Sequence, residues 1–440
     1  MTGLSVPRAM ISIAILILAF SGCKPERSLS GFPNIVLICM ESARADHLGC
    51  YGYDRDTSPT IDSLAAAGVL WTRCQSSSPW TLPSLATIWT GVSPKAHMTD
   101  WHDNRCHALD LSLPTIASVL NQYGYKTACI MHTTETNYVG FDKGFDHFGR
   151  NIRDNVSTTT VSRAISLLEA NMLPEDRFLL IIQNFEPHAP YNPQEPFRSM
   201  WTDSVSDSTL TWWTLAGDSL VDPGESALLT ALYDGEIRSV DDQIDSLCCY
   251  LRDTGLADST VIIITSDHGE EFLDHGWIGH SHTLYQELLH VPLIISGPGV
   301  PAGETRNSAA GLWDILPTIT ALVGAETPMN VEGMDLFSDS LPEERPIPSS
   351  ALLPNIYAVD EDGNPLLLPV ESVAIVMGDL KLIWDVLADS MTMYDLAVDP
   401  LETSPIEPVE EMIQEAEEYM FTPPQCIPRP MPGETILTLD

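Results

Sequence analysis

An α/β sandwich built on a large, mainly parallel sheet is the fold class this sequence predicts, and three observations predict it. Short, almost wholly apolar runs recur along much of the chain, as strands buried on both faces require. Segments with helical spacing alternate with them. The connections are long enough for the crossovers that parallel neighbours need. At 440 residues, 44% of them apolar, the chain can bury one large core or two ordinary ones.

Taken in order, "NIVLICM" (34–40) reads as a buried parallel strand. "SPTIDSLAAAGV" (58–69) reads as a helix with Ser58 as cap and Pro59 at the first helical position. "SPWTLPSLATIWTG" (78–91) runs into an amphipathic helix that starts near Thr81. Next come "TIASVLNQYG" as helix, "KTACIM" as strand, "TVSRAISLLEANM" as helix and "RFLLIIQNF" as strand. The long segment "ALLTALYDGEIRSVDDQIDSLCCYLRDTG" has helical spacing, and "STVIIITSD" is another buried strand. Beyond about Val323 the chain becomes Pro-rich, with short strand candidates "SVAIVMG" and "LKLIWDV". This predicts a smaller antiparallel C-terminal part, followed by an irregular Pro-rich tail.

The formal charge of −40, from 61 acidic against 21 basic residues, repels nucleic acid phosphates and anionic lipids, so no nucleic acid partner is expected. Near the start, Arg8 precedes "AMISIAILILAFSGC", which has the length of a signal-peptide apolar region and is too short to span a bilayer comfortably. The run ends in small residues and Cys23 and resembles a bacterial lipobox, with Phe20 where Leu is usual. That resemblance implies a protein exported to the bacterial cell envelope and held at the membrane by lipid on Cys23. An ordinary cleaved signal and a simple N-terminal anchor are the alternatives. The expected division is a signal peptide of lipoprotein type (1–22), a linker (23–32), a catalytic domain (33–330) and a C-terminal subdomain with tail (331–440). The eight further cysteines form no CxxC pair, which argues against a zinc knuckle or a thioredoxin-like motif.

Active groups collect beyond the carboxyl ends of strands in open parallel sheets. Glu41 follows "NIVLICM", Asp267 and His268 follow "VIIITS", and His188 follows "LLIIQNFEP". Thr81 comes from a helix start, where backbone N–H groups and the helix dipole favour an anion. Two carboxylates, an imidazole and a hydroxyl form a shell for one divalent cation, which would lower the hydroxyl pKa and neutralise oxygens on a group in transfer. Thr81 is then the attacking atom. His188 and His280 bind non-bridging oxygens or protonate the leaving group. Phosphoryl and sulfuryl centres suit such apparatus. Each residue alone has a plainer reading: Thr81 and Ser84 as helix caps, Glu41 as a solvated strand end, and His275, His282 and His290 as surface or core residues.

The stretch "NIVLICMESARADHLGCYGYDRDTSPTIDSLAAAGV" resembles the N-terminal signature of the sulfatase family within the alkaline phosphatase superfamily. "GFDKGFDHF", "EPHAPY", "YDGEIRSVDDQI", "SDHGEEFLDHG", "GHSHTLYQELLHVPLII", "DILPTI" and "MYDLAVDPLE" follow in that family's order, covering Asn34 to about Glu402. The resemblance implies an alkaline phosphatase-like α/β/α sandwich with a large mixed sheet, a small C-terminal antiparallel sheet, and a metal-dependent ester hydrolase or transferase. It departs from sulfatases at the C/S-x-P-x-R motif, whose first residue becomes formylglycine. Here "TLPSL" has Thr81 at that position and Leu85 where Arg belongs, and threonine cannot be converted. Glu41 stands where sulfatases place an aspartate, and Ser42 replaces the next.

The altered set resembles phosphoethanolamine transferases and lipoteichoic acid synthases, which use a glutamate, a threonine nucleophile and an aspartate–histidine pair around one zinc or manganese ion. Glu41, Thr81, Asp267 and His268 match those four roles, and His280 and His188 match phosphate-binding histidines. Zinc or manganese is expected ahead of calcium. The expected activity is hydrolysis of a phosphate ester or diester, on a small-molecule, glycan or lipid-linked substrate, through a Thr81 covalent intermediate. The alternatives are a sulfuric ester hydrolase without formylglycine, a phosphoethanolamine-type transferase, and a non-catalytic envelope binding lipoprotein. Oligomeric state is not legible.

Overall fold

The computed structural model describes residues 31–99, 101–102, 105–132, 140–151, 159–171, 176–202, 223–351, 354–359, 365–369, 372–422 and 436–437. Cys23, most of the Trp-containing stretch 200–219 and the Pro-rich tail 423–434 lie outside the described residues.

Eight strands form the main sheet. In chain order they are β1 (Asn34–Met40), β2 (Val69–Trp71), β3 (Lys126–His132), β4 (His147–Asn151), β5 (Phe178–Asn184), β6 (Thr260–Thr265), β7 (Leu293–Ser296) and β8 (Glu304–Arg306). Their spatial order is β8-β2-β7-β6-β1-β5-β3-β4. β1 lies centrally and pairs in parallel with both β5 and β6. β7 alone among these runs antiparallel to its neighbours, β6 and β2, which makes the sheet mixed.

Alternation along β1 explains why its sequence is apolar throughout. Ile35, Leu37 and Cys39 enter one core layer, and Val36, Ile38 and Met40 enter the other. The first layer contains α2 (Thr81–Thr90), α3 (Ile116–Gln122) and α6 (Ile315–Leu322). The second contains α1 (Pro59–Ala66), α4 (Thr160–Asn171) and α5 (Pro223–Asp253). The predicted sandwich is therefore present, with helices on both faces.

Two local expectations are corrected by packing. The helix read over 58–69 stops at Ala66, because Gly68 lies so close to β7 that a Cβ there would sit 2.2 Å from Ile295 O, and the chain then enters β2. Ser58 occupies the cap position but makes no capping bond; Asp241 of α5 accepts from Thr60 N (3.0 Å) and Ile61 N (2.9 Å) instead.

The C-terminal part contains a four-stranded antiparallel sheet in the order β9 (Ile347–Ala351), β10 (Ser372–Met377), β11 (Leu380–Asp385), β12 (Ser390–Asp395). Helix α7 (Glu410–Phe421) packs on it through Met412 and Ala416, against Val373, Ile375, Leu382, Trp384 and Met393. A buried ion pair, Lys381 Nζ to Glu402 Oε1 at 2.7 Å, joins β11 to the loop after β12, and Glu402 Oε2 accepts from Gln286 N at 2.5 Å. The small sheet is thus fastened to the segment that follows the hairpin Glu271–Gly279.

Candidate active site

Three strand ends and one helix start converge at the carboxyl edge of the sheet. Beyond β1, Glu41 is buried and its backbone N–H donates to Asn184 O at 3.0 Å. The next residue, Ser42, has φ 61, and its N–H donates to Asp267 Oδ1 at 3.0 Å. Beyond β6, Ser266 Oγ donates to Met40 O (2.6 Å), so the ends of β1 and β6 are laced together. The Tyr233 hydroxyl of α5 donates to Ser42 O at 2.7 Å from the helical layer.

Thr81 opens α2 behind Trp80, whose extended backbone (φ −157°, ψ 165°) turns the chain into the helix. Its hydroxyl lies 3.2 Å from Glu41 Oε1 and 3.1 Å from His268 Nε2. His268 Nδ1 lies 2.8 Å from Gly269 O and donates to it, and in that tautomer Nε2 is an acceptor. Glu41 Oε2 accepts from Gln183 Nε2 of β5. Asp267 Oδ1 also accepts from His268 N at 2.9 Å, while Oδ2, 3.5 Å from His268 Nε2, receives no hydrogen bond among the described residues. Thr81 therefore offers one proton to two acceptors, with a third acceptor oxygen, buried and without a donor, beside them.

The first turn of α2 brings the positive end of its dipole to Thr81, which favours negative charge developing on the hydroxyl oxygen. Ser84 faces elsewhere: its hydroxyl donates to Ser78 O (2.9 Å) and meets Ser76 Oγ (3.0 Å), pinning the loop before the helix. Leu85 is fully buried in the first core layer, so no guanidinium enters the site from that position.

His280 and His188 complete the arrangement. The rings of His268 and His280 have centroids 4.4 Å apart, and those of His280 and His188 are 4.9 Å apart. His188 Nδ1 donates to Ala189 O at 2.6 Å, and its ring lies 4.6 Å from that of Phe185. Burial, then the neighbouring His280, pushes His188 down to about 3. Burial, then His268, holds His280 well below its ordinary value. The six residues singled out in the sequence, Glu41, Thr81, His188, Asp267, His268 and His280, thus lie in one connected cluster.

The acceptor-rich set of Glu41, Asp267 Oδ2, His268 Nε2 and Thr81 Oγ1 suits a divalent cation, because the surplus of lone pairs over protons is what a cation relieves. Among the described residues, Glu271, His275 and Glu287 also bring ligand atoms within 4.8 Å of one another. There, however, both His275 nitrogens are engaged, Nδ1 with Glu287 Oε1 (2.5 Å) and Nε2 with Glu402 O (3.2 Å), and the ring stacks on Tyr285 at 3.5 Å. His290 is likewise occupied, Nε2 donating to Thr72 O at 2.8 Å.

Sequence reasoning passed over Gln183, which supports Glu41, and Glu270, which lies 2.8 Å from His280 Nδ1. Gln183 carried a signal, a polar residue closing an otherwise apolar strand, but its partner is 142 positions away.

A family model described as Sulfatase matches residues 33–325. An arylsulfatase of Clostridium perfringens is 25% identical over 443 aligned positions, covering 84% of this chain and 89% of its own length. A low-salt glycan biosynthesis sulfotransferase of Haloferax volcanii is 26% identical over 326 positions, covering 73% of this chain and 68% of its own. Among solved structures, one bound to its substrate D-glucosamine-2-N,6-O-disulfate superposes with a TM-score of 0.72 at 20% identity, covering 90% of this chain and 99% of the other. The phosphonate monoester hydrolase of Agrobacterium radiobacter gives 0.68 at 19% identity, covering 88% and 94%. At such identities the superpositions speak for the fold.

Proposed function

The chain belongs to the sulfatase family of the alkaline phosphatase superfamily, and from that premise we propose that it hydrolyses sulfuric esters on a glycan-type substrate without formylglycine, using Thr81 as nucleophile. The relatives favour this substrate class over the phosphate esters expected from the nucleophile alone. The observation that carries the Thr81 assignment is the hydroxyl held 3.2 Å from Glu41 Oε1 and 3.1 Å from His268 Nε2 at a helix start.

When bound by Glu41, Asp267, His268 and Thr81, a divalent cation, with zinc or manganese ahead of calcium, supplies Lewis acidity that lowers the hydroxyl pKa and neutralises oxygens of the transferred group. Thr81 Oγ1 gives up its proton and forms a bond to sulfur while the sulfur–oxygen bond to the alcohol breaks. The α2 N-terminus stabilises the charge on the attacking oxygen, and His188 and His280 flank the oxygens of the group in transfer. The departing alcohol oxygen takes up a proton in place of the one Thr81 gave up, so the step leaves sulfated Thr81 and the free alcohol. Water then attacks sulfur, releasing sulfate and restoring the Thr81 hydroxyl.

A phosphate or phosphonate ester is the second reading, favoured by one feature of Thr81. A formylglycine hydrate carries a second oxygen through which the sulfated enzyme can eliminate sulfate; threonine has only Oγ1, so release requires attack at the central atom. The threonine-nucleophile enzymes that the motifs resemble act on phosphorus.

The deciding experiment is turnover of matched aryl sulfate, phosphate, phosphodiester and phosphonate esters, with zinc, manganese or calcium, beside Thr81→Ala. Sulfate turnover lost in the variant supports the leading reading, and phosphorus-only turnover supports the second. Equal turnover by Thr81→Ala would sink both. The proposed export and lipid attachment at Cys23 rest on the N-terminal sequence. Labelled fatty acid incorporated by the full chain and absent from Cys23→Ala is the outcome expected.

A further inference from the structure

The imidazole of His280 is held from behind by a carboxylate that no step above uses. Glu270 is fully buried, and its oxygens are shared between two donors. Oε1 lies 2.8 Å from His280 Nδ1, and Oε2 accepts from the Tyr191 hydroxyl at 2.8 Å. Both contacts call for an acceptor at Glu270, so the proton of a neutral His280 sits on Nδ1.

The backbone holds the same arrangement. Ser281 adopts φ 87, a left-handed conformation that residues other than glycine rarely take, and its N–H donates to Pro79 O at 2.9 Å, two positions before Thr81. The turn separates the flanking rings: His280 meets Glu270, and His282 Nε2 lies 2.5 Å from Glu271 Oε2. The adjacent acids Glu270 and Glu271 thus face alternate histidines, and the loop carrying His280 is tied to the segment that leads into Thr81.

We infer that Glu270 is a positioning residue of the reaction, holding His280 with its proton on Nδ1 and its Nε2 lone pair open to receive a proton from the water that clears Thr81. The inference rests on the Thr81 reading above. In this step the water oxygen bonds to the central sulfur or phosphorus, and the bond from that atom to Thr81 Oγ1 breaks. One water proton passes by way of His280 Nε2 to the departing threonine oxygen, and the rest of the water stays on the released anion, so one water is divided between the anion and the restored hydroxyl. The contact from Glu270 Oε1 to Nδ1 keeps the ring from turning while the proton passes.

The test is Glu270→Gln in the full chain, which keeps the shape and removes the charge. Steady-state turnover is expected to fall about 10- to 100-fold, the range for removing the carboxylate behind an imidazole. The first half-reaction survives, so aryl ester substrates should give a burst of one leaving group per site, and acid quench should trap modified Thr81. Tyr191→Phe, which leaves the His280 contact in place, should lose less. Imidazole ¹⁵N spectra, with His280 assigned through His280→Asn, should show the Nδ1–H tautomer in the unmodified chain. Wild-type turnover by Glu270→Gln overturns the inference, as does slow turnover with neither burst nor trapped intermediate. If the unmodified chain cleaves no ester, the Thr81 reading has failed, and the tautomer alone then decides: Nδ1–H upholds the positioning of His280, and Nε2–H refutes it.

Discussion

Replacing Thr81 with alanine removes one oxygen from a site in which that oxygen faces Glu41 Oε1 at 3.2 Å and His268 Nε2 at 3.1 Å. A hydroxyl has one proton, so it satisfies one of these acceptors at a time, and deletion removes one net hydrogen bond, worth about 1 kcal/mol. Glu41 retains Gln183, and His268 retains Gly269 O. Alanine is also the better helix former at the opening of α2, by about 0.5 kcal/mol. The stability cost should therefore be about 1 kcal/mol or less, a shift in Tm of roughly 1–2 °C for a chain of this size. Loss of the attacking atom should instead lower kcat by about 10⁴-fold or more. Thr81→Ser keeps the oxygen at the helix start and should retain much of the activity. The assay is paired: thermal unfolding of the variants, and initial rates on the best substrate of the ester panel. A stably folded Thr81→Ala that turns over at more than about a hundredth of the starting rate would refute the nucleophile assignment. A collapse of Tm by tens of degrees would show that the hydroxyl is mainly structural.

Burial, with Glu186 next, pushes the Glu236 carboxyl up to about 8, although Oε1 accepts from Asn192 N at 2.7 Å. A folded-state value raised above the ordinary 4.5 means this group's contribution is fully present below about 4.5 and is lost as pH rises towards 8. Denaturation midpoints should fall across that window and fall less in Glu236→Gln; an unchanged slope in the variant would contradict the assignment. Lys381→Met leaves the buried Glu402 carboxylate without its ion-pair partner and should cost about 3–5 kcal/mol by chemical denaturation. Adding Glu402→Gln should recover part of that loss. Leu85→Arg, which writes the sulfatase arginine into this chain, places a charge in the apolar layer and should destabilise by more than about 4 kcal/mol, without gain of aryl sulfatase activity. A folded, more active Leu85→Arg would show that the layer can open there.

The sequence by itself determined the parts of this protein that depend on a few neighbouring residues. Continuous apolar runs marked β1, β3, β5 and β6, because each is buried on both faces and has no polar side to show. Helical spacing located α2 to α5, and the ordered motifs carried the family and the two-part architecture. The residue types at strand ends named Glu41, His188, Asp267 and His268, since chemistry at the edge of a parallel sheet comes from those positions, while Thr81 was read from a helix start and His280 from its fit to the same chemistry. The substrate class was less legible: the absence of a convertible residue at Thr81 pointed to phosphorus, whereas the relatives point to sulfate.

Only the tertiary structure decided how those side chains face one another. Thr81 meets Glu41 across 40 positions and His268 across 187, and such pairings follow from sheet order rather than from local pattern. The antiparallel course of β7 and the close approach that ends α1 at Ala66 belong to the same class. So does Asp241 capping α1 from a different helix, in place of the adjacent Ser58. Glu270 and Gln183 have no chemistry of their own in the linear pattern; they acquire a role because folding puts them behind His280 and Glu41. Apolar periodicity is summed over adjacent residues and survives in the sequence, but a hydrogen bond is a relation between two points in space, and the fold alone sets that distance.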